Sequence, residues 1–412
     1  IRTAAWRETM HADTQAARQY SPLYFLASLG AGGLVVTFFM YLMFWVPHPG
    51  QPVPVFEDIT AYFGISGPLG QAMVVIAMAG IAAFGALHYR MLFWNLARLR
   101  NFRRGKGFAA FSSSNAESQL LAAPLALAMG VNVGFIIGLV FVPGLWSVVE
   151  YLFPVALLAF VAIGTFAFRQ IGAFLGRVLG HGGFTEEQNA SFAQVLPAFA
   201  LAMVGVGLAA PAAMSGNGVV VAASLSLSTL FVVAAVVWAL VAMILALRPI
   251  LKHGTAPEAA PTLMILVPLL TVVGIAMLRM DHGLHTQFDA HGTTADTLVF
   301  LTRIIAAQVL FLGLGLAVLK RQGYAAKFLS AQGQRSAGSY ALVCPGVGFS
   351  VMWHFWLNKG LVASGLIAKF GAAYWIATAP ALIAQFAMIG LVVWLHRQHF
   401  GKPKTPVAVP AE

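Results

Sequence analysis

The chain has 412 residues, of which 59% are hydrophobic and only 9% charged, and its mean hydropathy is +0.82. A soluble chain carries about a quarter of its residues as charges, so this one cannot cover itself for water, and lipid must be its solvent on most faces. The formal charge of +11 would suit a nucleic-acid binder, but the basic residues fall between apolar runs and form no single soluble face, which argues against that class.

Residues 1–20 hold Arg2, Arg7, Glu8, Asp13 and Arg18 and no apolar core. They read as a cytoplasmic N-terminal segment without a cleavable signal peptide. At roughly 20 apolar residues per bilayer crossing, spans are predicted at 22–46, 68–96, 119–142, 148–176, 192–213, 218–247, 261–280, 296–320, 338–358 and 372–396. They form one transmembrane domain over 21–398, followed by a cytoplasmic tail over 399–412. The apolar run Leu361–Ile367 leaves a re-entrant segment as an alternative.

Basic residues orient the spans. Arg98, Arg100, Arg103, Arg104, Lys106, Arg169, Arg177, Arg248, Lys252, Lys320, Arg321, Lys327, Arg335, Arg397, Lys402 and Lys404 fall on the side of the N-terminus, while Glu57, Asp58, Asp281, Asp289 and Asp296 fall opposite. Both termini are therefore expected inside, which requires an even number of spans.

The odd spans share a proline near their starts, followed by glycine: Pro22, Pro124, Pro197, Pro268 and Pro345. Proline removes a helical hydrogen bond, and a freed carbonyl must face protein or water rather than hydrocarbon. Pro154 and Pro380 are the exceptions in even spans, and spans six and eight are read as having none. The expected fold is all-α: five helical hairpins in a pseudo-fivefold ring, with kinked odd helices around a central pore and straighter even helices outside.

The segments SPLYFLASLGAGG, AAPLALAMGVNVG, VLPAFALAMVGVG, LVPLLTVVG and CPGVGFSVMWHFW carry a resemblance. Together they resemble the tellurite-resistance/dicarboxylate transporter family, which includes TehA and the plant slow anion channels, over about residues 20–397. Within it the chain looks most like a distant branch, the TsoY-type (seleno)proteins, with Cys344 at the selenocysteine position. The resemblance implies a homotrimer in a bacterial inner membrane, a pore in each subunit and passage of small anions. It also implies a phenylalanine plug on the ninth helix, which best matches Phe349.

Phe25, Phe135 and Phe199 are further candidates to narrow the path, against the reading that most of the 31 phenylalanines pack or face lipid. Asn132, Thr271, Ser350 and His354 are candidate polar lining residues, and Arg303 and Arg279 candidate anion attractors. Cys344 is the only cysteine, so no intrachain disulfide forms. Beside Pro345 it is either a small buried hydrophobe or a thiolate favoured by a helix start, which keeps a membrane redox protein as the alternative function. His354 lies ten residues on, about 15 Å along a helix, too far to act as its base. Asp281, His282, His285 and His291 offer metal-ligand side chains without a zinc pattern. A haem between His88, His354 and His396 is disfavoured by their positions at different depths. No metal or cofactor is expected, and the partners are a small anion or other small molecule and the bilayer.

Overall fold

The computed structural model describes residues 20–288 and 292–401. Arg2, Arg7, Arg18, Lys402, Lys404, Asp289 and His291 lie outside the described residues. Among the described residues ten helices are long and apolar enough to cross a membrane: α1 Pro22–Trp45, α2 Pro68–Arg103, α3 Asn115–Phe141, α4 Leu145–His181, α5 Phe192–Met214, α6 Gly218–His253, α7 Pro257–Thr286, α8 Thr294–Arg321, α9 Ala337–Val362 and α10 Ala372–Phe400. Short helices Phe56–Ile65 and Phe108–Ser112 lie in connections, and the described residues contain no strand. The chain is a multi-pass helical membrane protein.

Burial divides these helices into two populations. In the most apolar stretch of each odd helix 61–94% of the residues are buried, against 22–33% in each even helix. A stretch that is apolar on all sides and buried on all sides belongs to a protein core, whereas the even helices turn Val233, Leu240, Ile244, Leu310 and Ile383 outward, as a lipid-facing surface requires. The packing order is regular. Helix α1 packs on α3, α3 on α5, α5 on α7, α7 on α9 and α9 on α1, while each even helix touches the odd helix before it and the next in this order.

All five odd helices begin as 3-10 turns, at Pro22–Tyr24, Asn115–Leu121, Phe192–Val195, Pro257–Met264 and Ala337–Leu342, before continuing as α-helix. Pro124, Pro268 and Pro345 are the third residue of the α-helical part, Pro197 the second, and Pro22 opens its 3-10 turn. In the four later helices proline stands within one turn of the point where the 3-10 lead-in passes into α-helix. It marks the switch from 3-10 to α geometry. All five prolines are buried. Further prolines lie inside the even helices, at Pro154, Pro249 and Pro380, and inside the 3-10 lead-in of α7, at Pro261. Pro249 was missed because α6 runs to His253, beyond its expected end at 247.

Two further boundaries differ from expectation. Asp281, His282 and His285 are not in a loop, since α7 continues through them to Thr286. Helix α9 runs on as a π-helical stretch, Trp356–Val362, and residues 363–371 follow as turns and bends, so Leu361–Ile367 forms no separate re-entrant helix.

Side chains tie the segments at each end of the helices. At the basic end Tyr20 Oη donates to Asn95 (3.2 Å), Gln194 Nε2 to the Asn115 carbonyl (3.0 Å) and Ser336 Oγ to Glu258 (2.6 Å). Glu117 pairs with Arg177 there at 3.0 Å. At the opposite end Glu57 accepts from the Gly144 amide (2.7 Å), and Glu150 accepts from Ser215 Oγ (2.7 Å) and the Gly216 amide (2.6 Å). Glycine sets the closest inner approaches. A Cβ on Gly33 would lie 2.6 Å from Val347 Cγ1, and one on Gly348 would lie 2.9 Å from Pro268 Cα, so α9 meets both α1 and α7 only because those positions are bare.

Candidate functional site: two cavities meeting at a neck

Each odd helix presents one stripe to a shared internal space. In α1 the stripe is Leu29, Gly33, Val36, Met40 and Met43, and in α9 it is Cys344, Val347, Gly348, Val351 and Phe355. These spacings of three and four residues are those of one helical face. The space is a cavity of about 860 Å³ that extends to the loop residues His48–Val53 and to Gly292–Thr297, at the acidic end of the helices. A second cavity of about 340 Å³ lies at the basic end. It is lined from the lead-in turns of all five odd helices, by Leu23, Gln119, Ala193, Glu258 and Gly338 among others.

Three residues line both cavities: Phe199 of α5, Pro268 of α7 and Cys344 of α9. They form the neck between the two spaces. Phe199 is 3% exposed and Cys344 8%, and the side chains at the neck are an aromatic ring, a pyrrolidine and a thiol. Local sequence explains the geometry. Pro268 and Cys344 sit in the first α-helical turns of their helices, and Phe199 follows Pro197 by two residues, so all three occupy the same structural level.

The large cavity is mainly apolar, walled by methionine and phenylalanine, including Met129, Met203, Phe135, Phe153 and Phe160. Its polar wall is sparse. Asn132 donates through Nδ2 to the Ala128 carbonyl of its own helix (3.1 Å). Thr271 Oγ1 donates to the Gly348 carbonyl (2.9 Å) and receives Gln308 Nε2 (2.7 Å), which locks α7 to α8 and α9. Arg279 donates through a guanidinium nitrogen to the Val206 carbonyl of α5 at 2.7 Å. Among the described residues the ion pairs are Glu117–Arg177 and Glu186–Arg248, so Arg279 has no carboxylate partner there. Lys359, Asp281, His282, His285 and Asp296 stand further out on the rim. Asp296 is held by capping its own helix, accepting from Thr293 N (3.1 Å) and Oγ1 (2.7 Å).

The candidate residues thus separate. Phe135, Phe199, Asn132, Thr271, Arg279, Pro268 and Cys344 line cavity. Phe349 lines neither. It lies on another face of α9, in a cluster with Met264, Val267, Tyr324 and Phe328, its ring 5.2 Å from Trp353, so the aromatic at the neck is Phe199. Phe25 is wholly buried in the core. Ser350 donates to the Ala381 carbonyl of α10 (2.8 Å). His354 is buried beside the rings of Tyr41, Phe44 and Trp45. Arg303 is exposed on the outer helix α8. Pro22, Pro124, Pro197 and Pro345 pack inside the fold without lining either cavity.

His88 accepts and donates within the α1 contact, with Nδ1 2.8 Å from the Ser28 carbonyl, and His396 lies 3.2 Å from Arg90. Each of the three histidines weighed for haem therefore has different surroundings. Among the described residues no group of three His, Cys, Asp or Glu is arranged to hold a metal ion. The methionines and Phe153 and Phe160 of the wall were not singled out from sequence. The helical phase running back from Cys344 and Pro268 was the available signal for the odd-helix positions. No family model matches the chain, and no curated protein matches its sequence.

Proposed function

We propose that the protein is a membrane channel or transporter for small anions, built as five helical hairpins in a pseudo-fivefold ring whose odd helices surround the path. The observation that carries this reading is the pair of cavities toward opposite ends of the helices, with Phe199, Pro268 and Cys344 lining both. The closed packing order α1–α3–α5–α7–α9–α1 supports the ring, and it accords with the resemblance to the tellurite-resistance/dicarboxylate transporter family.

The neck controls passage by dewetting. A constriction of ring and aliphatic groups offers no replacement for the water that an ion must shed, so the barrier falls when the ring moves or is removed. The test is nitrate flux into liposomes carrying the purified protein. Phe199→Ala raises the flux several-fold over wild type, whereas equal flux in the two proteins refutes the assigned neck.

A second reading rests on Cys344 being reachable from both cavities: a membrane redox protein that uses this thiol on a small substrate. Cys344→Ser separates the two. It abolishes turnover in the redox protein and leaves nitrate flux intact in the channel.

A further inference from the structure

The larger cavity is far bigger than a small inorganic ion requires. At about 860 Å³ it falls within the roughly 300–1,000 Å³ of sites that enclose organic ligands, which are apolar pockets with a few placed polar groups. Its charge is also arranged in depth. Moving outward from the neck along α7, Arg279 is the first charged residue, eleven positions beyond Pro268 and so about 16 Å along the axis. Asp281, and Lys359 on α9, come further out, with Asp296 near the mouth. The cavity wall includes Met40, Phe135, Met203, Val206 and Ile275, with Asn132 and Thr271 among the polar side chains.

Arg279 is anchored as well as charged. Its bond to the Val206 carbonyl at 2.7 Å fixes the guanidinium, which carries five N–H donors in a planar fork. The donors not used on Val206 are those available to an oxyanion, and a planar fork suits a carboxylate or sulfonate better than a spherical ion.

We propose that this cavity is a binding site for an organic monoanion, a carboxylate or sulfonate on an apolar body, with the anionic head at Arg279 and the body against the methionine and phenylalanine wall toward the neck. The proposal rests on the reading of the cavities as a path for anions and deepens it by naming the substrate class. A bare inorganic anion would use Arg279 and leave the apolar wall unoccupied. A neutral apolar molecule would use the wall and leave the guanidinium without its oxyanion.

The experiment uses the full chain in lipid nanodiscs, with empty nanodiscs subtracted. The probes are naphthalene-2-sulfonate, the neutral naphthalene-2-sulfonamide and nitrate, followed by titration calorimetry. The expected result is saturable binding of the sulfonate, at one per chain, tighter than either of the other two. Arg279→Gln weakens the sulfonate about tenfold, as the loss of a charge-assisted contact does, and leaves the sulfonamide unchanged. Met203→Trp, which fills the wall, weakens both organic probes. The wild-type order of affinities decides the question without any variant, should Arg279→Gln fail to fold. Sulfonate binding no tighter than nitrate or sulfonamide, or none above empty nanodiscs, overturns the proposal. Nitrate flux measured on the same preparation keeps the two readings apart: flux without sulfonate binding removes this proposal alone, and sulfonate binding without flux removes the conducting path alone.

Discussion

The two faces of α9 both lie inside the protein and have opposite surroundings. Cys344, Val347, Gly348 and Val351 look into the cavity, while Phe349, Ser350 and Trp353 look away from it, into packing with α7, α8 and α10. Both faces are largely buried, so burial cannot tell them apart. What differs is what lies opposite: space on one side, a filled core on the other. A residue is placed on the cavity wall by its helical phase, and nearness to a proline alone does not decide it.

That contrast is open to direct attack. The largest effect is expected from Phe349→Ala, which empties a filled site and costs about 3–5 kcal/mol. Chemical unfolding in detergent measures it, and nitrate flux through the surviving folded protein is predicted to stay at the wild-type level. A rise in flux would return Phe349 to the path. Next comes Gly348→Ala. Its new methyl meets the Pro268 backbone at 2.9 Å, where nothing flexible can yield, so a loss of about 1–3 kcal/mol follows. Gly390 on α10 has nothing within 4 Å of its Cβ position, and its alanine variant, free of that clash, should be no less stable than wild type.

Chemistry at the thiol sharpens the comparison with little cost in stability. A small methanethiosulfonate reagent added from either side of a proteoliposome should slow nitrate flux through wild type and have no effect on Cys344→Ser. Modification from one side alone would mean that the neck lies elsewhere. The smallest effect concerns the turn after α9. Burial and the neighbouring Lys359 hold the Lys369 ammonium below the ordinary lysine range. The unfolded chain therefore binds more protons than the folded one between the lowered value and about 10.4, and stability rises with pH across that window. Lys369→Gln should flatten the rise, a slope readable from unfolding midpoints at successive pH values.

Much of the architecture was legible in the sequence because the bilayer imposes it. Length and apolarity gave ten spans, and proline followed by glycine picked out the five helices that prove to be the buried ones. The local role of those prolines was not legible. The one-letter pattern shows a proline near a helix start and does not show that a 3-10 turn leads into it. The site was half legible. Phe199, Phe135, Asn132, Thr271, Arg279 and Cys344 were all named, but so were Phe25, Phe349, Ser350, His354 and Arg303. Phe349 follows Cys344 by five residues, about 140° around an α-helix, so had Cys344 been taken as the reference the sequence would have excluded it. Arg303 was favoured as an ionised residue within a span, yet it is exposed on the outer helix α8 and lines neither cavity. The methionine wall left no mark at all, since methionine at helical spacing serves a core and a cavity equally.

The lengths of the two helix sets carry a mechanical consequence. Helices α2, α4 and α6 have 36, 37 and 36 residues, about 54 Å at 1.5 Å per residue, against a hydrocarbon thickness of about 30 Å. The continuous α-helical part of α5, which holds Phe199, has only 13 residues. Acyl chains therefore press on the long outer helices, which can tilt or project to suit a thick or a thin bilayer. The short α-helical part of α5 need match only its inner neighbours. Phe199 is in this way set apart from membrane thickness, and its surroundings should be the same in short-chain and long-chain lipid.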